Sequence, residues 1–543
     1  MPYVGMSGRL LGLRQPQPGS YALGVPSFYI TTAIDYPNGP PHIGHSLEKI
    51  AADVVARYHR LKGDDTFFCM GLDENSQHVV TAAQTAGVSP REWIDRMDEA
   101  FRLAWSKLDC SYDRWIRTTE PAHFRASQEL FRRAQEAGDI YKAVYSGYYC
   151  PNCNAFYTQE ELTPQGTCPD HTTITPDWLE EENYFFALSK YTERLTKYVE
   201  EHADFIVPSI WRAEVLATLR QGLKDFSASR KIRPGALVDG QPWGVPVPDD
   251  PEHVIYVWFD ALTNYLTAAG FPDEPERFAR TWPAAAHVIG KNITRFHCLY
   301  WPAMLMSAGI ELPKSVAVHG FMTLEGQRIS KTTGNIIDPV ELADQYGADA
   351  VRYYLMRDVS FESDGDFARA NLVQRFNSDL ANDLGNLLNR TVSMIGRYFE
   401  GVVPEGSEGG EREADVRRVA QAAGAATAAG IEAWDFDGAL DGAWQLVRRA
   451  NQYIDESAPW TLARDGARRG DLAAVLYHAA ESLRLLSIYL APFIPSASAK
   501  MQAQLGLGPL QEGAWAKGAA WGQLPAGTKL EKPQPIFPRI ETS

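Results

Sequence analysis

Apolar and polar positions along this chain fall into two periods, one suited to strands and one to helices. Phe28 to Ile34 is a run of aromatic and β-branched residues, as a strand buried on both faces requires, and Pro37, Gly39, Pro40 and Pro41 stop it. After that break Leu47, Ile50, Ala51, Val54, Tyr58 and Leu61 recur at helical spacing, so one face of the next helix is apolar. Residues 65–75, DTFFCMGLDEN, read as a second strand closing on an acidic loop at its carboxyl end, where open α/β sheets bind ligands. The segments VIYVWFDA, HVIGK and SVAVHGF are expected to return the chain to the same sheet. From about residue 371 strand signals vanish, and Ala- and Leu-rich helical periodicity runs to about residue 506, broken by VVPEGSEGGE near 402–411. The pattern predicts an α/β protein, a Rossmann-type doubly wound parallel sheet followed by an α-helical bundle.

Chemistry enters at the first strand–helix junction. His42 and His45 stand three residues apart around Gly44, at a helix start whose amide hydrogens and positive dipole end suit an anion. Gly44 lets a flat ring such as adenine lie against the backbone. Two histidines at a helix start are more often caps or surface residues, so the context has to decide. Nearly three hundred residues later GQRISKTTGN, residues 326–335, forms a Gly-bounded loop carrying Arg328, Ser330 and Lys331. PHIGH followed by RISKT, in that order, resembles the HIGH and KMSKS signatures of class I aminoacyl-tRNA synthetases. VIYVWFDALTNYL (254–266), HVIGKNITRFHCLYWPAML (287–305), DFSASR (225–230), DLANDLGNLLNR (379–390) and ANQYIDESAPW (450–460) resemble methionyl-tRNA synthetases in particular. The likeness runs from about residue 27 to the final IFPRIE.

Composition narrows the picture without deciding it. At 543 residues the chain exceeds a single core and should form two or three domains. It has no room for the large editing insertion of synthetases that handle branched aliphatic amino acids. A net charge of −16 argues against indiscriminate coating of nucleic acid, so RNA contact must come from local basic faces. No apolar stretch approaches the length of a membrane span, and residues 1–26 lack the apolar core of a signal peptide and read as a loose extension. A cytoplasmic protein is expected, and a monomer, because no appended RNA-binding domain follows the bundle.

Of six cysteines, Cys150, Cys153 and Cys168 join His171 in a Cys-x2-Cys, fourteen-residue gap, Cys-x2-His arrangement. Two such knuckles bring three thiolates and an imidazole into the closed tetrahedron of structural Zn2+; a disulfide pair and chance clustering are the alternatives. Cys69, Cys110 and Cys298 lie in apolar or amphipathic surroundings and read as buried hydrophobes.

The resemblance implies a division into residues 1–26 as extension, 27–117 as the first half of the catalytic sheet domain, and 118–225 as a connective insertion with the zinc knuckle. The second half (226–325), the KMSKS-type loop with a stem-contact region (326–370), an anticodon-binding helical domain (371–525) and a tail (526–543) complete it. It implies ligation of L-methionine to tRNA in two steps, through methionyl-adenylate, with ATP, Mg2+ and methionine tRNA, initiator and elongator, as partners. Neither step needs a protein nucleophile, since the methionine carboxylate and the ribose hydroxyl supply their own oxygens; alignment and stabilisation of phosphate charge remain. His42, His45, Arg328 and Lys331 would be catalytic, and Tyr36, Gly44 and Ser330 would join His42, His45 and Lys331 around ATP. Ile34, Tyr36, Trp258, Ala261, Tyr265, Ile293, His297 and Trp301 would line the methionine pocket, with Asp73 on the amino group and Arg230 orienting it. Asn386 and Arg390, four residues apart on one helical face, would bond a splayed anticodon base, and Trp460 would stack on it.

Four departures from the family pattern stand out. Asn75 and Ser76 replace a His-Gly pair beside the substrate loop, Asn292 replaces an acidic residue after Lys291, Arg328 opens the late loop in place of Lys, and Asp35 stands where an uncharged residue is usual. Two rival readings remain: a class I synthetase for cysteine, with zinc in the amino-acid pocket, and a synthetase-like RNA- or partner-binding protein that activates nothing. The aromatic WFDA and FHCLYW segments oppose the first, and intact His42, His45 and Lys331 oppose the second.

Overall fold

The computed structural model describes residues 27–150, 155–169, 172–232, 237–238, 240–328 and 336–541. Its centre is a six-stranded sheet built from β1 (Ser27–Thr32), β2 (Asp65–Leu72), β3 (Arg114–Arg117), β4 (Ile206–Val207), β5 (Ala286–Gly290) and β6 (Val316–His319). The spatial order is β3-β2-β1-β5-β6-β4, and every pairing is parallel. Strand order reverses between β1 and β5, which makes the crevice at their carboxyl ends the place for a ligand. Both faces of the sheet are covered: Ile30, Phe68, Met70 and Val288 enter one apolar core, and Tyr29, Cys69, Ile289 and Val318 enter the other. Burial on both faces explains why these strands read as continuous apolar runs.

The helix α1 (Ile43–Lys62) follows β1 and ends at Gly63, whose φ of 98° closes it in the left-handed region. Its core is continuous with the helical region, where Glu411–Glu432, Phe436–Ser457 and Arg469–Tyr489 form the bundle. Asp53 of α1 binds Arg57 and Arg352, both at 2.7 Å, and Arg352 donates onward to the carbonyls of Pro492 and Phe493. The helix that opens at the histidines is therefore anchored, at mid-length, to the bundle.

Two expectations about the sheet change. VIYVWFDA does not enter it: Asp250–Ile255 pairs antiparallel with Ser229–Lys231, and the chain turns at Tyr256 into the helix Val257–Ala269. A segment apolar on all sides looks alike as a buried strand or a buried helix, so periodicity could not separate them. The outer strand β4 instead comes from within residues 118–225, and two residues are too few to leave a pattern. The rest of that stretch holds a long antiparallel hairpin, Ile140–Cys150 against Asp177–Phe186. Residues 526–541, expected as a tail, are docked: Leu530, Ile536 and Phe537 are buried, and Ile540 exchanges hydrogen bonds with the Asn377 side chain.

Candidate active site

His42 is the N-cap of α1. Its Nδ1 accepts from the Gly44 amide at 3.1 Å, and its own amide donates to Nδ1 of His45 at 3.2 Å. This is a capping box built from imidazoles, where hydroxyl and carboxylate groups are usual. Because both Nδ1 atoms accept, each neutral ring carries its proton on Nε2, and both rings act as donors. The rings lie 3.9 Å apart, with Phe101 against the edge of His45. The amide of Ile43 donates to the carbonyl of Ile337 at 2.9 Å, so the chain leaving the RISKT loop is tied to the first residue of α1. Ser330 and Lys331 lie outside the described residues. Arg328 ends a strand, Gln327–Arg328, that pairs with Met322–Leu324 across a turn whose Glu325 and Gly326 have φ of 49° and 76°.

The exits of β1 and β2 are zipped together. The Asp35 amide donates to Gly71, and the Asp73 amide donates to the Asp35 carbonyl, which sets Asp35, Tyr36 and Asp73 side by side. Asp73 is buried, and its Oδ1 has no hydrogen-bond partner among the described residues. Burial, reinforced by the neighbouring Asp260, pushes this carboxyl well above its ordinary range. Arg230 does not pair with it: its guanidinium donates to the carbonyls of Ser227 and Ser229 and lies 4.0 Å from the centre of the Tyr256 ring. Among the described residues no ion pair joins Arg230 to Asp73, so the expected orienting contact is corrected.

The aromatic candidates separate into a wall and a floor. Ile34, Tyr36, Trp258 and Ile293 are half-buried, and Trp258 lies flat on Phe296 with ring centres 3.7 Å apart. Ala261, Tyr265, His297 and Trp301 are buried. A π-helical turn, Phe296–Tyr300, carries His297, and such turns recur at functional sites. His297 donates from Nδ1 to the Ile293 carbonyl and accepts at Nε2 from the Tyr265 hydroxyl at 2.7 Å. Burial pushes this imidazole down to about 4. Behind it sits His287, absent from the sequence reading: Trp301 donates to its Nε2 at 3.2 Å, and its Nδ1 donates to Thr31 Oγ1 at 2.7 Å. Thr31 and His287 face each other in the β1–β5 register, which no local pattern reveals.

Of the departures, Asn75 is held by partners, whereas Ser76 Oγ has no hydrogen-bond partner among the described residues. Asn75 donates to the carbonyl of Thr118 and to Asp260, which also receives Ser127 and faces His123 at 2.8 Å. Lys291 pairs with Asp364 at 2.7 Å, while Asn292 is exposed beside it.

A family model described as tRNA synthetases class I (M) matches residues 28–175 and 171–392, and one for the anticodon binding domain of methionyl tRNA ligase matches 403–543. The methionine–tRNA ligase of Caldanaerobacter subterraneus is 46% identical over 516 residues, covering 95% of this chain and 79% of that protein. That of Bacillus subtilis is 43% identical over 530 residues, covering 95% and 78%.

The chain belongs to the methionine–tRNA ligase family. It is an ATP-dependent ligase that forms aminoacyl-tRNA. Mycobacterium tuberculosis methionyl-tRNA synthetase in complex with methionyl-adenylate matches with a TM-score of 0.89 at 42% identity, covering 95% of this chain and 100% of that one. The apo form of the same synthetase matches with a TM-score of 0.84 at 40% identity, covering 96% and 99%.

Two further groups of residues are those expected to meet RNA and a metal. Arg390 pairs with Asp455 at 2.6 Å and lies 6.0 Å from the ring centre of Trp460, which is 42% exposed; Asn386 is exposed one turn earlier. Ala458, at φ 43°, turns the chain between two helices and so projects Trp460. Cys150 and Cys168 are both fully buried, while Cys153 and His171 lie outside the described residues. No group of three metal-ligating side chains occurs among the described residues.

Proposed function

We propose that this methionine–tRNA ligase activates methionine by alignment and neutral hydrogen-bond donation at the opening of α1. The methionine carboxylate attacks the α-phosphate of ATP, forming the acyl–phosphate bond as pyrophosphate leaves; a terminal ribose hydroxyl of tRNA then takes the acyl group and AMP leaves. His42 and His45 donate from Nε2 to phosphate oxygens, and Gly44 admits the adenine ring. Tyr36 and Ser330 complete the nucleotide contacts, and Arg328 and Lys331 bring positive charge to the leaving pyrophosphate. Mg2+ arrives with ATP and neutralises the same phosphates. The observation that carries this reading is the imidazole capping box, which commits both Nδ1 atoms and sets both Nε2–H groups as donors beside the exit of the RISKT loop.

Asp73 receives the methionine ammonium, because an orphan buried carboxylate oxygen requires a partner. The thioether lies between the Ile34, Trp258 and Ile293 wall and the Tyr265–His297 floor, with Ala261 and Trp301 behind; sulfur suits such aromatic surroundings. Arg230 bounds the pocket without touching Asp73. Asn386, Arg390 and Trp460 read an anticodon base. Cys150, Cys153, Cys168 and His171 hold one structural Zn2+: the described residues between 150 and 176 add nothing to the apolar cores, so a lobe that nonetheless buries two thiols needs another staple. A cytoplasmic location accords with ATP and tRNA as substrates. ATP–pyrophosphate exchange with each of the twenty amino acids tests the reading. Exchange with methionine alone is expected, and exchange with none in folded protein would overturn it.

A further inference from the structure

Lys49 stands on the stripe of α1 that carries the histidines, at i+7 from His42 and i+4 from His45, one turn deeper. It is 1% exposed. Its ammonium reaches the Ala33 carbonyl at 2.7 Å, Asp35 Oδ1 at 3.0 Å and Glu48 Oε1 at 2.7 Å, which uses all three of its N–H bonds. Ala33 and Asp35 flank Ile34 in the pocket wall, so one cation holds the backbone on both sides of that residue. The second arm runs through Glu48, whose Oε2 faces His319 Nε2 at 3.3 Å; Nδ1 of His319 donates to the Gly320 carbonyl at 2.7 Å. A Cβ on Gly320 would fall 2.2 Å from Ser363 backbone atoms, so that corner, from which the chain enters the hairpin before the RISKT loop, is packed backbone against backbone. Burial opposes the charge of Lys49, but the Asp35 and Glu48 carboxylates outweigh it and hold its pKa above the ordinary lysine value. Burial likewise raises Asp35 to about 6, and its Oδ2 has no partner among the described residues.

We propose that Lys49 is a positioning residue for methionine activation: with Asp35, Glu48 and His319 it locks the Ala33–Asp35 segment, the histidine end of α1 and the Gly320 corner into one geometry. It touches no substrate. It acts through the placement of Ile34, Tyr36, His42 and His45, and so rests on the roles proposed for them. Its charge is cancelled by its neighbours, which leaves geometry as its contribution; a misplacement near 1 Å can cost about 100-fold in rate.

The test compares wild type, Lys49→Met, Asp35→Asn and the double variant Asp35→Ala/Lys49→Met, measuring Tm together with kcat and KM for methionine in pyrophosphate exchange. Lys49→Met is expected to lower kcat about 10- to 100-fold, with KM changed less than about threefold. The double variant removes the cation together with a carboxylate it neutralises, so it should regain much of the lost Tm while kcat stays low. Recovery of kcat along with Tm would overturn the proposal, because a merely structural pair restores both. If Lys49→Met does not fold, Asp35→Asn and the double variant decide: wild-type kcat in either refutes it. Absence of exchange in the wild type would overturn the histidine roles and this proposal with them.

Discussion

His42→Asn separates the two duties of this histidine. Its Nδ1 accepts the Gly44 amide at 3.1 Å, and Asn, among the best N-cap residues, offers an amide oxygen for the same bond. The helix start should therefore change in stability by less than about 1 kcal/mol, against roughly 0.5–2 kcal/mol for loss of a cap to Ala. What Asn cannot supply is an N–H at the reach of Nε2. Removing one preorganised donor from developing oxyanion charge costs about 2.7–4 kcal/mol, or roughly 10²–10³-fold in kcat. Pyrophosphate exchange gives that rate, and thermal unfolding of the same samples gives the stability. Exchange within about threefold of wild type in His42→Asn would refute the reasoning.

Three other outcomes follow from the same geometry. Purified protein should hold about one zinc per chain by metal analysis, and Cys168→Ser should lose it; folded, metal-free wild type would remove the zinc assignment. Burial holds the His297 imidazole down at about 4 while an unfolded histidine titrates near 6.5, so its contribution to stability is full above about 6.5 and falls as pH drops toward 4. Between pH 7.5 and 5 the wild type should lose about 2 kcal/mol relative to His297→Leu in urea unfolding, and parallel curves would contradict this. Trp460→Ala should raise the KM for tRNA about 5- to 150-fold, from a stacking contribution of roughly 1–3 kcal/mol, and a comparable fall in tRNA-free pyrophosphate exchange would refute an anticodon role.

The sheet could be read from the chain because its strands are buried on both faces, and Phe28–Ile34 and DTFFCMGL leave unbroken apolar runs. The helix start was legible for a different reason: proline and glycine break the strand and apolar residues then recur at helical spacing between polar ones, so His42 and His45 could be placed at its opening. VIYVWFDA was misread because Val257–Ala269 is buried nearly all round, which erases the period that would name it a helix. His287 escaped because its role comes from parallel register with Thr31 and from Trp301, fourteen residues later, and both are tertiary facts. The Arg230 contact failed for the same reason: the motif carries the residue, but the Ser227 and Ser229 carbonyls decide where the guanidinium points.

The departures from the family pattern bear on the amino-acid pocket as a set. Asn75 donates to Asp260, which also receives Ser127 and lies against His123, so donors converge on that carboxylate from three sides. Asp260 is in turn a cause, after burial, of the elevated Asp73 carboxyl. Asp73 keeps one oxygen without a partner among the described residues, as does Asp35 beside it, whereas buried polar groups are ordinarily paired. An ammonium is the group that such a site lacks: it would pair with the orphan oxygen and favour the charged form of Asp73. Asn75 therefore holds the carboxylate that lies beside Asp73, the residue proposed to meet the substrate, and Asp35 with Lys49 holds the strand exit next to it. Residues that look disruptive in sequence, Asp35 and Asn75, are thus each matched by a partner one layer away, Lys49 for the first and Asp260 for the second.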